Sequence, residues 1–327
     1  MIDRVSLSDL EREASSWDAA VRLTEGIDPW CSSTDWVLPA ARSFGDEPVH
    51  GWRGEAGWAL LRELPPSPPG TEDPPWVGPD PIWGFACPLV GPADEVHELI
   101  VAIDHENWSI LMISGLVEGS PHWNHIIRSG TALAWRFGRS PGITRQLIDL
   151  APGPEAWLER RSARFRRNLR KAAVRAQEAG VEIEAVAPGP GIEGSHQLFD
   201  RLIAIEETSW KGQQGSGILG EDVRAFYRMV LGHLGPSGRL RTHVARFGGR
   251  DIGYVVGAVR GGRYRGFQLS FDDTHREFSI GNLLQWAELR RLAAEGVHTY
   301  DLGMDMDYKR RWADQDLTTV NLVAFRT

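Results

Sequence analysis

The 327-residue sequence predicts an α/β protein of the α+β kind, built on mixed, mostly antiparallel sheets flanked by helices. Three observations predict it. Residues 240–247, 251–260 and 263–271 are strand-like runs separated by Gly248-Gly249 and Gly261-Gly262, the two-residue turns of tight antiparallel hairpins. A helix follows, with Ile280, Leu283, Leu284 and Ala287 at i, i+3, i+4 and i+7, and beyond Gly296 a strand runs from Val297 to Gly303. A helix joining two strands of one sheet lets them lie parallel. The third observation is length, which suffices for two cores rather than one.

From the start of the chain, residues 7–23 carry Leu7, Leu10, Ala14, Trp17 and Val21 near helical spacing behind a capping Ser6 or Ser8, and 34–43 form a second helix. Strands at 49–52 and 58–61 join through the turn-forming stretch Gly54 to Gly57. The Pro-rich passage from Leu64 to Pro81 is expected to be a surface excursion, because proline lacks the donor that a central ladder needs. A strand at 82–89, a helix at 93–105, a strand at 109–113, a helix near 122–129 and strand-like runs to Leu150 complete the first half. Ala151-Pro152-Gly153-Pro154 then breaks all periodicity and divides a first unit, 1–150, from a second, 151–327. The second unit opens on a long helix, 155–179, ended by Gly180 where a left-handed C-cap is preferred. A strand at 181–186 and helices at 195–210 and 221–234 lead into the three-stranded meander.

Hydrophobic residues make up 42% and charged residues 24%, the balance of a soluble globular protein. The net charge of −8 excludes a general nucleic-acid coat, since neutralising phosphates needs a basic surface. A local basic patch remains, on the helix carrying Arg160, Arg161, Arg164, Arg166, Arg167, Arg170, Lys171 and Arg175. Its charge spreads around most of the helix, as on a solvated surface, and its sharper reading is contact with a polyphosphate. Cys31 and Cys87 are too few for a disulfide framework and have no zinc spacing, so a reducing, cytoplasmic setting is expected. No run reaches the length of a membrane span. His122 and His125 lack a third ligand, and no metal is expected. Of the 14 tryptophans several, Trp30, Trp36, Trp52, Trp58, Trp76 and Trp83, crowd the first third, where core packing is their ordinary role.

Between the meander and its helix stands Arg276-Glu277-Phe278-Ser279-Ile280-Gly281-Asn282-Leu283-Leu284, at a strand-to-helix turn where backbone N–H groups can hold a phosphate. Three further blocks accompany it: Arg164 to Lys171; Ser209-Trp210-Lys211-Gly212 with Gly215-Ser216-Gly217; and Asp301-Leu302-Gly303 followed by Tyr308-Lys309 and Trp312. In this order, over residues 155–312, the blocks resemble the Acetyltransf_6 group of the GNAT N-acetyltransferase superfamily, cellulose-biosynthesis-protein-like acyltransferases similar to the FemABX aminoacyl transferases. The resemblance implies a tandem pair of GNAT-like units. The coarse order of the first half echoes the second, but Pro88-Leu89-Val90-Gly91-Pro92 stands where a phosphate loop would be, and prolines remove donors. Only the second unit is expected to bind a coenzyme.

The resemblance also implies the chemistry. The family loop reads Arg or Gln, two residues, Gly, one residue, Gly or Ala; here it is Arg276, Ser279 and Gly281, with Ile280, Asn282 and Leu283 completing the coenzyme-binding set. Acetyl-CoA or a longer acyl-CoA is the expected donor, and an amine of a small molecule or peptide attacks its thioester directly. Glu207 is the first choice for the carboxylate that orients or deprotonates this amine, followed by Asp301 and Asp272. Tyr308 is the candidate proton donor to the departing thiolate. Lys211 and Lys309 are candidates for binding a substrate carboxylate or phosphate, and Trp210 and Trp312 for walling the pocket. Two alternatives stand beside this reading: a FemABX-like transferase that uses aminoacyl-tRNA, and a catalytically silent binding module that keeps the fold.

Overall fold

The computed structural model describes residues 1–66, 73–215 and 217–326, with Trp210 described in its main chain alone. The chain divides into two units, Met1–Ile143 with Thr318–Thr327, and Thr144–Leu317. The division precedes the break at Ala151, because the strand ending at Asp149 already pairs inside the second unit.

The first unit contains β1 (Asp3–Val5), α1 (Leu7–Arg12), α2 (Ala14–Leu23), α3 (Thr34–Ser43), β2 (Val49–Arg53), β3 (Trp58–Glu63), β4 (Trp76–Val77), β5 (Leu89–Val90), α4 (Ala93–Asp104), β6 (Ile110–Leu116), α5 (Pro121–Ala132) and β7 (Arg136–Ser140). The second contains β8 (Thr144–Asp149), α6 (Pro154–Glu159), α7 (Ala163–Ala179), β9 (Glu182–Val186), α8 (Gly191–Thr208), α9 (Trp210–Gln213), α10 (Glu221–Leu234), β10 (Leu240–Phe247), β11 (Arg250–Arg260), β12 (Arg263–Phe271), α11 (Ile280–Ala294), β13 (Thr299–Met304) and β14 (Gln315–Thr318). The chain then returns to the first unit as β15 (Val320–Phe325).

In the first unit the sheet runs β1-β2-β3-β4-β6-β15-β7, with β5 on β3. Two expectations are corrected here. The run 82–89 is mostly irregular, with strand only at Leu89–Val90. The Pro-rich passage is not wholly an excursion. Trp76–Val77 is buried in the sheet, antiparallel to β3 and parallel to β6, and the prolines serve as acceptors: Leu64 N–H donates to Pro75 O at 2.8 Å and Ser109 N–H to Pro74 O at 3.0 Å. Residues 67–72 of that passage lie outside the described residues.

In the second unit the sheet runs β14-β8-β13-β12-β11-β10-β9. Both Gly-Gly pairs take positive φ at both residues, 56° and 77° at Gly248-Gly249 and 55° and 73° at Gly261-Gly262, the twist of tight hairpins. The expected single helix at 155–179 is two. Ser162 caps α7 by accepting from Phe165 N–H at 3.2 Å, and Gly180, at φ 83°, ends it. One face of the sheet packs under α7 and α11 through Ala245, Ile252, Val255, Leu169, Ala172, Ile280 and Leu284. A second cluster on Trp157, Tyr264, Tyr300, Leu289, Leu292 and Trp312 continues it toward β8.

Candidate active site

β12 and β13 pair in parallel only at Arg263 with Thr299, Tyr264 with Tyr300 and Arg265 with Asp301, although both strands continue beyond. A register shift beside Gly266 bends β12 away from regular pairing with β11. The two central strands therefore part at their C-terminal ends, where open α/β sheets place ligands.

After β12 the chain makes a 3-10 turn at Asp273–Phe278 and enters α11 through Ser279, which holds the left-handed conformation at φ 56° without capping the helix by its side chain. Asn282 and Leu283 N–H groups both donate to Ser279 O, at 3.0 and 3.2 Å. The N–H groups of Ile280 and Gly281 stand at the first positions of α11, where no intrahelical acceptor exists. Gly281 has a packing reason to be small, since a Cβ there would meet Phe271 at 3.1 Å and Leu269 at 3.3 Å. Ser279 and Asn282 face a groove of about 520 Å³ whose lining includes Arg164, Lys171, Arg175 and Arg311 and no carboxylate. Arg276 is outside this lining; it is exposed and pairs with Asp273 in its own turn. Leu283 is buried in the core.

Side chains on the opposite face of the sheet form a second polar group. Tyr254 of β11 donates its hydroxyl to Glu206 Oε2 in α8 at 3.0 Å, and Glu206 is 0% exposed. Oε1 of Glu206 is buried without a hydrogen-bond partner among the described residues. Lys211, in α9, donates Nζ to Leu269 O at 2.8 Å and to Gln268 Oε1 at 3.4 Å. Burial lowers the pKa of its ammonium, and Glu206 opposes that shift. Asp301 accepts from Arg145 at 2.5 Å, from Arg265 at 2.6 Å and from Gly303 N–H at 2.7 Å. Burial alone would raise its carboxyl pKa, but the two guanidiniums outweigh it and hold the pKa down. Lys309 Nζ donates to Met304 O at 3.0 Å; burial, with Arg265 and Lys211 nearby, lowers its pKa to about 8. Burial pushes the Tyr308 hydroxyl up to about 12.

The residues singled out from sequence thus fall in different places. Lys211, Lys309 and Asp301 gather around the parted strands, with Tyr308 adjoining Lys309 in sequence. Glu207 is exposed on α8, and the carboxylate that faces inward is its neighbour Glu206. Helical spacing from Phe199 through Leu202 to Glu206 carries the signal that separates the two. Asp301 is saturated by two guanidiniums and a main-chain donor, which suits a charge anchor better than a base. Asp272 caps the 3-10 turn, accepting from Thr274 N–H at 2.9 Å and Oγ1 at 2.7 Å. Trp312 is buried against Trp157, with centroids 5.2 Å apart and planes at 17°, and lies on the groove face. The Trp210 side chain and Ser216 lie outside the described residues. Arg145, Arg265 and Tyr254 come from strands read as plain sheet, with no local pattern to mark them. Among the described residues no three His, Cys, Asp or Glu side chains gather as metal ligands, and no helix is long and apolar enough to cross a membrane.

A parted parallel pair, a strand-to-helix turn and an antiparallel meander are the features of the GNAT fold. Residues 163–310 match the acetyltransferase (GNAT) domain of the Acetyltransf_6 group. Three solved structures overlay most of both chains. FemX is 12% identical over 100% of this chain and 97% of its own, with a TM-score of 0.65. A conserved protein of unknown function from Bacteroides thetaiotaomicron VPI-5482 is 8% identical over 100% of each chain, with a TM-score of 0.64. A tandem GNAT protein from the clavulanic acid biosynthesis pathway is 15% identical over 99% and 98%, with a TM-score of 0.51. At such identities the likeness is one of fold, and that fold is the tandem one. No curated protein matches the sequence significantly.

Proposed function

We propose that this protein is an N-acyltransferase that moves an acyl group from acetyl-CoA or a longer acyl-CoA to an amine of a small molecule or peptide. One observation carries the reading: loop 279–283 opens on a groove lined by four cationic side chains and no carboxylate. The phosphates of a coenzyme need convergent N–H donors and positive potential, and Ile280, Gly281 and the groove supply both. The amine nitrogen bonds to the thioester carbonyl carbon, the C–S bond breaks with its electron pair on sulfur, the amine gives up a proton, and the thiolate gains one. Tyr308, which burial keeps protonated, is the proposed donor to the thiolate. Glu206, in place of Glu207, is the proposed amine-orienting carboxylate. The first unit is proposed to carry no coenzyme, because Pro92, at the N-cap of α4, has no N–H to donate. Two buried cysteines outside any disulfide, Cys31 and Cys87, support a cytoplasmic setting.

Calorimetry with acetyl- and longer acyl-CoA tests the donor, and the absence of binding at millimolar ligand sinks it. A second reading, transfer from aminoacyl-tRNA, is favoured by Arg167 and Arg170, which are exposed on α7 beyond the groove lining. That reading requires ribonuclease to abolish activity in a crude extract while coenzyme A esters have no effect.

A further inference from the structure

Two lysines stand where β12 and β13 part, each bonded to a main-chain carbonyl of one strand. Asp272 N–H bonds to Ile252 O, so residues of the same parity on β12 turn their main-chain groups toward β11, and Leu269 turns its carbonyl away, toward the side that β13 leaves. Lys211 caps that carbonyl at 2.8 Å. Lys309 caps Met304 O of β13 at 3.0 Å. Gly303, at φ 80°, keeps the space beside Lys309 free of a side chain; a Cβ there would stand 3.5 Å from Nζ.

Lys309 lacks a counter-charge of its own. An ammonium has three donors, and one is spent on Met304 O. Among the described residues no carboxylate lies within ion-pair distance of it. The two nearby acids are engaged elsewhere: Asp301 by Arg145 and Arg265, and Asp305 by Arg310 at 2.5 Å and Gln146 at 2.7 Å. A partly buried cation without an ion-paired carboxylate calls for an anion. The groove on the other face is already suited to the donor's phosphates, which leaves the anion here to the acceptor.

We propose that Lys309, backed by Lys211, receives a carboxylate of the acyl acceptor at the parting of β12 and β13, so that the acceptors are amino acids, peptides or other amines carrying a free carboxylate. This rests on the acyltransferase reading and gives its acceptor a chemical class. Each ammonium stays pinned to a strand carbonyl, so the two strands hold the acceptor's acid group while its amine reaches the thioester.

The test uses the full chain with acetyl-CoA, or charged tRNA, and a panel of amino acids and dipeptides against the same compounds as C-terminal amides. A charge-assisted contact predicts acids favoured over amides by roughly tenfold or more in kcat/KM. Lys309→Ala should erase that preference through KM, and Lys309→Arg should retain it. Equal use of acids and amides, or a preference unchanged in Lys309→Ala, overturns the proposal. A fall in kcat with KM unaltered also overturns it, since it places the ammonium at the reacting carbonyl. If no donor acylates any amine, the acyltransferase reading fails, and calorimetry decides the carboxylate site by itself. N-acetylalanine but not N-acetylalaninamide should bind wild-type protein and not Lys309→Ala, and absence of that difference overturns the site.

Discussion

The Tyr254 hydroxyl holds only one oxygen of Glu206, at 3.0 Å, and the other is enclosed near Gly217, where a Cβ would come within 2.1 Å of it. A buried carboxylate half satisfied in this way is poised to receive one further donor. Glu206→Gln should leave the protein folded by circular dichroism and lower kcat by about 10²-fold or more, the scale of a lost proton-handling group. Glu207→Gln should change neither kcat nor KM. Full activity in Glu206→Gln removes this residue from the mechanism. A silent binding module is ruled out by any turnover that Glu206→Gln or Tyr308→Phe abolishes without unfolding.

Asp301 ties β13 to β12 and β8 through Arg265 and Arg145. Its folded-state pKa is depressed by the guanidiniums, so its contribution to stability is present above the unfolded carboxyl value of about 3.9 and is lost as pH falls through the folded one. Urea midpoints followed from pH 7 downward should hold until about pH 4 and then drop. Asp301→Asn should cost about 3–5 kcal/mol at neutral pH, because it leaves two buried guanidiniums without their anion. That variant should also flatten the acid limb of the curve.

Ser279 occupies a left-handed conformation that costs a non-glycine residue roughly 1–2 kcal/mol. Ser279→Gly should therefore raise the stability of the second unit by about 1 kcal/mol, less whatever glycine loses in the unfolded chain, and its Tm by a few degrees. Donor affinity measured by calorimetry should hold or improve, since the Ile280 and Gly281 N–H groups keep their place.

Reversing charge in the groove tests the donor site electrostatically. Lys171→Glu with Arg175→Glu should weaken coenzyme binding by about tenfold or more at low salt, with the difference shrinking as salt rises. Both side chains are exposed, so the thermal midpoint should stay near that of the unaltered protein.

Lys309 makes acceptor choice depend on pH. Its ammonium is held below about pH 8 and lost above it, so preference for carboxylate acceptors should decline through that range. In Lys309→Arg, whose guanidinium stays charged, the preference should persist to higher pH. A decline at the same pH in both variants assigns the titration to another group.

Much of the second unit was legible because its signals are local. Gly-Gly pairs mark both hairpins, and Gly180 and Gly296 mark helix ends by the positive φ that they adopt. Less was legible where the cause is distant. Leu89–Val90 and Trp76–Val77 owe their strand pairing to β3 and β6, which no local pattern announces. The break at Ser162 rests on a capping serine inside an otherwise continuous helical pattern. At the site, lysines and acids could be named from sequence, but which of Glu206 and Glu207 turns inward is a matter of helix phase. That Asp301 spends its charge on Arg145 and Arg265 is a matter of strand order.

The strand β15 lies between β6 and β7, joining residues more than a hundred positions apart in the chain. During synthesis, residues 144–317 emerge in full before this strand does, so the second unit has the chance to fold first. Meanwhile β6 and β7 wait with open edges, the kind of surface that invites pairing with another chain. The first unit, although most of it precedes the second in the chain, is therefore completed after it. Its exposure to misassembly scales with the time needed to make residues 144–317.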